Sequence, residues 1–454
     1  MSTLDPGVGP AFVSQLRNNL RGRLILPGDD GYDAARTVFY GGIDRRPAVI
    51  VKAAGADDVS RVVSLARDRG LELAVRSGGH SNARHGVTEG GIVLDLGDMR
   101  ALQIDAAART AWTEPGLTAG EYTATAHTHG LATGFGDTGS VGIGGLTLGG
   151  GVGYLVRKYG LTIDDLLAAE IVTADGQKRQ LSSESNPDLF WAIRGGGGNF
   201  GVVTRLQFRL HELKNVYGGM LILPATPQVI AASVAAAQAA PEELSAITTI
   251  MPAPPLPFLA SEHHGKMIVL AMILYAGEGP AAEAAVAPFR LLAAPLADML
   301  KPMAYPEIYE PDEAGYHPIG AGRNMFVDRL DETAASMILQ RLKLSTGTFS
   351  VAQVRVLGGA MARVPVEATA FAHRRSPIML HFAALYENLE ERAQHESWAE
   401  ASAAALHQTD NGAYVNFIGD EGPARVRLAY PSPTWERLVE IKRKYDPGNL
   451  FRLN

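Results

Sequence analysis

Between residues 134 and 153, ten of twenty positions are glycine, a density at which neither a helix nor a strand packs well, because each interior glycine costs roughly 0.5 to 1 kcal/mol relative to alanine. The segment therefore reads as backbone brought close to something. The chain holds 50 glycines in 454 residues, where average usage of ~7% gives about 32. The surplus gathers in three loops, at 77–81, 134–153 and 194–201. Backbone N–H groups in such loops can converge on an anion, since no Cβ blocks the approach, and two of them in one domain suit a pyrophosphate. A tight turn and a flexible lid are the plainer alternatives. The commoner phosphate motifs do not apply. No G-x-x-x-x-G-K-[ST] occurs. The literal G-x-G-x-x-G at Gly196, Gly198 and Gly201 follows a helix signal and precedes a strand signal, the reverse of a dinucleotide fingerprint.

Around these loops, strand and helix signals alternate. Residues 47–53 (PAVIVKA) predict a strand, and Asp57 or Asp58 caps a helix with Val59, Val62, Val63 and Ala66 on its apolar face. Residues 71–76 return as a strand that runs into Ser77-Gly78-Gly79-His80, and 91–96 form the next. A helix over 118–129, a hairpin over 167–181 around Asp175-Gly176, a helix opened by Asn186-Pro187 and a strand over 202–210 follow. From about 211 to 410 the texture changes to Ala-rich helices mixed with strands such as 265–275 and 376–386. The chain is long enough for two or three domains, and the expected division is 1–210, 211–410, and 411–454 returning to the first part. That last segment predicts a strand over Ala413-Tyr414-Val415-Asn416-Phe417 and a helix over 433–445.

Charge and composition exclude several classes. With 46% hydrophobic and 20% charged residues the chain is globular, and a net charge of −7 gives no footprint for a polyanion such as nucleic acid. No apolar run reaches the ~18 residues of a membrane span, and the first twenty residues carry no secretory pattern. A cytoplasmic protein is expected. Cysteine is absent, which removes disulfides, thiolate metal sites and thiol nucleophiles. The histidine pairs His127/His129 and His263/His264 lack zinc-site spacing, so no catalytic metal is expected.

Arg76-Ser77-Gly78-Gly79-His80-Ser81, then Val141-Gly142-Ile143-Gly144-Gly145 with Gly149-Gly150-Gly151, then the run 194–201, then Tyr414-Val415-Asn416 and residues 444–451 occur in that order. Together they resemble the berberine bridge enzyme branch of the vanillyl-alcohol oxidase flavoproteins, from about residue 47 to the end. The resemblance implies an α+β fold: a two-part PCMH-type FAD-binding domain and a substrate domain with an antiparallel sheet. It implies FAD bonded covalently through His80, whose neutral imidazole is a nucleophile near physiological pH. It also implies that Arg76, Ser77, Gly78, Gly79, Ser81, Thr138, Gly139, Ser140, Val141, Gly144, Gly145, Gly149, Gly201, Val202, Val203, Tyr414 and Asn416 contact the cofactor. Many members add a second bond from a cysteine where this chain has Thr138, so a single linkage is implied here. Val141 matches the position that gates oxygen, where a small aliphatic residue goes with oxidases. Plain packing is the simpler account of it.

The implied activity is hydride transfer from a small organic substrate to flavin, with molecular oxygen as the electron acceptor. A dehydrogenase, a redox-neutral flavoenzyme and a flavin-storage protein are the alternatives. Such chemistry needs a proton acceptor. His381, which stands where relatives carry Glu, Gln or Asn, shares a strand face with Met379 and Ala383, and is its one polar residue. Tyr414 is the second candidate. It titrates near ~10 unperturbed and needs positive surroundings to act near neutrality, for which Arg355 or His381 is available. The fourth place of the Y-V-N motif is Phe417, so any acid or base role there is lost. Both candidates also have plain readings, as a satisfied histidine and as a packing aromatic.

Overall fold

The computed structural model describes residues 9–309, 315–409 and 412–453. Val49–Lys52, Ile92–Asp95 and Leu73–Arg76 lie side by side in parallel, with Arg23–Ile25 antiparallel on the outer edge. Parallel strands need a crossover, and helix Ala56–Arg69 carries the chain from Val49–Lys52 to Leu73–Arg76, which flank Ile92–Asp95, burying Val59, Val62, Val63 and Ala66. Neither aspartate caps that helix. Gly55 holds the N-cap position, and the Asp58 carboxylate accepts the backbone N–H groups of Arg21, Gly22 and Ala54. From the first turn it satisfies donors of an approaching segment that a capping aspartate would leave unbonded.

A second, antiparallel sheet of five strands follows the order Leu102–Asp105, Thr110–Thr113, Val202–Arg209, Leu166–Val172, Lys178–Leu181. Its last two strands are the hairpin expected around Asp175-Gly176. An antiparallel sheet of eight strands occupies residues 215–385 and includes Phe349–Val356, Ile378–Leu385 and Gly320–Val327 side by side. Alternation divides its two faces. Leu380, Phe382 and Ala384 are buried with residues of helices Pro227–Ala239, Glu332–Lys343 and Arg392–Ala405, whereas Met379 clusters with Val152, Phe371 and Tyr414. One face is thus covered by helices and the other turns towards the second glycine loop. The α+β architecture implied by the sequence is the one observed.

The expected handover at residues 410 and 411 lies outside the described residues. Beyond it, Leu450 and Phe451 are buried among the apolar side chains of the parallel sheet, and Leu438 and Ile441 join the cluster containing helix Pro187–Ile193. The strand expected over 413–417 does not form. Val415–Phe417 is a single 3-10 turn, tied down by bonds other than a sheet edge: the Tyr414 N–H donates to the side chain of Asn324 at Oδ1, 2.7 Å away, and the Asn416 side-chain amide donates to the backbone carbonyl of Leu146 at 3.0 Å.

Candidate active site

The first glycine loop is held from below by a buried charge pair. Arg76 ends its strand and donates to Asp95 on the neighbouring strand at 2.6 Å, and to the carbonyls of Ala35 and Thr37. Gly79 then takes φ 71°, a left-handed conformation in which a side chain is strained. Gly78 lies against Gly142, so close that a Cβ on either would sit 2.4 Å from the backbone nitrogen of the other. The first and second glycine loops therefore close directly on each other, and Ser77 locks the turn by donating to Pro115 O at 2.5 Å. His80 emerges at its tip with its ring stacked on Phe39, centroids 4.1 Å apart. Ser81 turns the chain back, its carbonyl accepting the Arg84 N–H.

The second loop hangs on the start of helix Ala119–His127. Thr118 and Glu121 form a reciprocal capping box there, and the N–H groups of Ala119 and Gly120 donate to the carbonyls of Val141 and Gly139 at 2.9 and 2.8 Å. Thr118→Ala is expected to cost about 1 kcal/mol of unfolding free energy through the lost cap, read from denaturant melts. An unchanged midpoint would deny the cap any part in holding the loop. Within the loop, Thr138 accepts the Val141 N–H through its carbonyl, Val141 is half-buried, and Ser140 Oγ is buried with no partner among the described residues. Gly144 packs beneath Ser77, whereas exposed Gly145 leaves bare backbone facing open space. Gly149 packs against the Asn416 amide and Gly201 against the carbonyl of Val172, with Val202 and Val203 buried in the adjoining ladder. The third glycine run follows helix Pro187–Ile193 and precedes a strand, as its rejection as a dinucleotide fingerprint requires.

A wall that packs on the second loop comes from the eight-stranded sheet and the C-terminal turn. The Tyr414 hydroxyl oxygen accepts the Gly151 N–H at 2.9 Å and an N–H of Asn416 at 2.8 Å. Burial pushes its pKa up to about 12, although both bonds and the charge of Arg355 act the other way. His381 and Tyr414 both pack against the Phe417 ring, each 5.2 Å from it between centroids. Its Nε2 is buried without a partner among the described residues. Burial first, then Arg355, brings its pKa down to about 3, so the imidazole is neutral through the physiological range. Tyr414 and His381 thus share one wall without bonding to each other. Arg355 is buried beside them on the same sheet face, pairing with the carboxylate of Asp137.

Tertiary packing brings the His80 loop, the 138–145 loop and the Tyr414 turn together, as the motifs implied. It also brings in side chains that motif reading passed over: Phe39 against His80, Asp137 against Arg355, and Asn324 beneath Tyr414. Only the adjacency of Asp137 to Thr138 was a signal. Two loops in backbone contact, a buried hydroxyl at Ser140 without a partner among the described residues, bare backbone at Gly145 and the imidazole of His80 together fit a flavin dinucleotide. Among the described residues no cluster of histidine and carboxylate groups suits a metal ion, and no helix is long and apolar enough to cross a membrane.

Comparison with known proteins agrees with this geometry. Residues 47–182 match the FAD binding domain family, and 413–454 match the family described as berberine and berberine like. The chain is 31% identical over 451 residues to (R)-6-hydroxynicotine oxidase of Paenarthrobacter nicotinovorans, with 96% of each chain covered. It is also 31% identical to an uncharacterized FAD-linked oxidoreductase, YvdP, of Bacillus subtilis, covering 95% of this chain and 97% of that one. Among solved structures, 6-hydroxy-D-nicotine oxidase from Arthrobacter nicotinovorans superposes with a TM-score of 0.85 at 28% identity, over 96% of this chain and 97% of that one. A berberine bridge enzyme-like protein of Physcomitrella patens shares the fold at a TM-score of 0.85 and 22% identity, over 96% and 97% of the two chains.

Proposed function

The chain belongs to the berberine bridge enzyme-like FAD-linked oxidoreductases, and from that premise we propose that it is an oxidase that takes a hydride from a small organic substrate onto a flavin bonded once, through His80, and passes the electrons to oxygen as hydrogen peroxide. The observation that carries the proposal is the presentation of His80 on two glycine loops in backbone contact, the second of which also bonds through Gly151 to Tyr414, on a wall shared with His381. The relative named as an oxidase supports the choice of oxidase. When bound, FAD supplies the hydride acceptor and the route to oxygen. The protein supplies the rest. Residues of 1–210 and 411–454 hold the cofactor, and 211–410 provide the substrate wall. His80 anchors the cofactor, the 138–145 loop offers N–H groups, and Tyr414 and His381 are the polar groups for the proton that leaves an alcohol, sugar or amine together with the hydride.

Adding substrate without air should bleach the flavin, and admitting air should restore the colour with release of one peroxide per flavin oxidised. Val141 is the proposed oxygen gate. Val141→Phe is expected to slow reoxidation by about tenfold or more, about 1.4 kcal/mol of barrier, while sparing flavin reduction. A wild-type reduced flavin that is stable in air would assign a dehydrogenase instead.

A further inference from the structure

Arg355 is a buried cation with one of its three guanidinium nitrogens bonded among the described residues. Its side chain is 4% exposed, and its partner is the Asp137 carboxylate, bound through Nη2. Nε and Nη1 are buried with no acceptor among the described residues. Arginine does not escape this by losing its proton, and a charged donor left unbonded in the interior costs more than a neutral one. Such a group calls for a missing partner.

The surroundings define what that partner is. The Phe417 ring lies 4.8 Å from the guanidinium carbon and also packs against His381, so an aromatic ring adjoins the unbonded donors. Asn324, fully buried and in register with His381 on the paired strand, has its Nδ2 without an acceptor as well. The open valences are mostly donors, which asks for an acceptor. At the His381 ring the charge of Arg355 outweighs that of Asp137 and adds to burial in lowering the imidazole pKa.

We propose that Arg355 is a specificity-determining residue that takes an anionic oxygen of the substrate, a carboxylate or an ionised enol or phenol, joined to a flat apolar group resting on Phe417. The proposal rests on the flavoenzyme reading above and narrows its substrate class to organic acids. Arg355 binds and orients, and the proton and hydride steps stay with the groups already assigned.

The test uses the yellow holoenzyme and equilibrium binding, read as a perturbation of flavin absorbance by benzoate, benzamide and benzyl alcohol. Benzoate is expected to bind at least about tenfold tighter than either neutral analogue, and Arg355→Met to weaken benzoate by roughly 10²-fold with little change for benzyl alcohol, as expected for loss of a charge-assisted contact. Arg355→Lys should fall between. Absence of benzoate binding, or equal affinities for the three probes in the wild type, overturns the proposal without any variant, so a misfolded Arg355→Met does not shield it. Benzoate affinity that survives Arg355→Met while the ligand-free flavin spectrum shifts also overturns it, by assigning Arg355 to the cofactor. Failure of the flavoenzyme reading looks different: the purified protein is colourless and releases no FAD. Calorimetric titration of benzoate into wild type and Arg355→Lys then decides the fate of the anion site by itself.

Discussion

Tyr414→Phe is expected to keep its flavin and to reduce it roughly 10² to 10⁴-fold more slowly, about 3 to 5 kcal/mol of barrier, in single-turnover mixing without oxygen. The variant deletes one hydroxyl and keeps the ring that packs against Phe371 and Phe417. That hydroxyl oxygen sits between two N–H donors, from Gly151 and Asn416, an arrangement that favours negative charge on it. Burial still holds its pKa at about 12, so the resting group is a phenol. A rate carried by its tyrosinate therefore rises about tenfold per pH unit through the neutral range, and that slope disappears in Tyr414→Phe. His381, neutral above about pH 3, gives a flat profile over the same range. The slope of the reductive rate thus separates the two candidates. His381→Asn keeps a polar group without a base and is the second test. Near wild-type reduction in both variants with the true substrate would move the proton acceptor elsewhere.

His80→Ala is expected to convert complete retention of flavin after denaturation into complete release. Wild-type protein precipitated with acid should stay yellow, and the variant should leave free FAD in the supernatant. With no cysteine in the chain, no second thioether bond can mask the result. Because Gly79 and Arg76 shape the turn independently of the imidazole, the variant should still fold and still bind FAD noncovalently. Free FAD from acid-precipitated wild type would overturn the single-linkage proposal.

The legibility of this protein divides along physical lines. The hairpin at Asp175-Gly176, the crossover helix with its Val59, Val62, Val63 and Ala66 stripe, and the face shared by Met379 and His381 were readable because each follows from a backbone period or a turn residue within a few positions. The glycine loops were readable for a related reason, since a missing Cβ is a local fact about the backbone. The failures share a cause too. Ala413 to Phe417 alternates like a strand, yet its partners are the side chain of Asn324 and the backbone of Leu146, which no local pattern reveals. The Asp58 carboxylate satisfies three distant or flanking N–H groups and leaves the helix end to Gly55.

By itself, then, the sequence determined where glycine backbone gathers into loops, that His80 stands at the tip of one, and that cysteine chemistry is absent. Only the tertiary structure decided the electrostatic character of the site. Tyr414 meets Gly151 across 263 residues and Arg355 meets Asp137 across 218. Whether a tyrosine, histidine or arginine is buried, paired or left with open valences depends on what packs around it, and desolvation and Coulomb terms are properties of that packing.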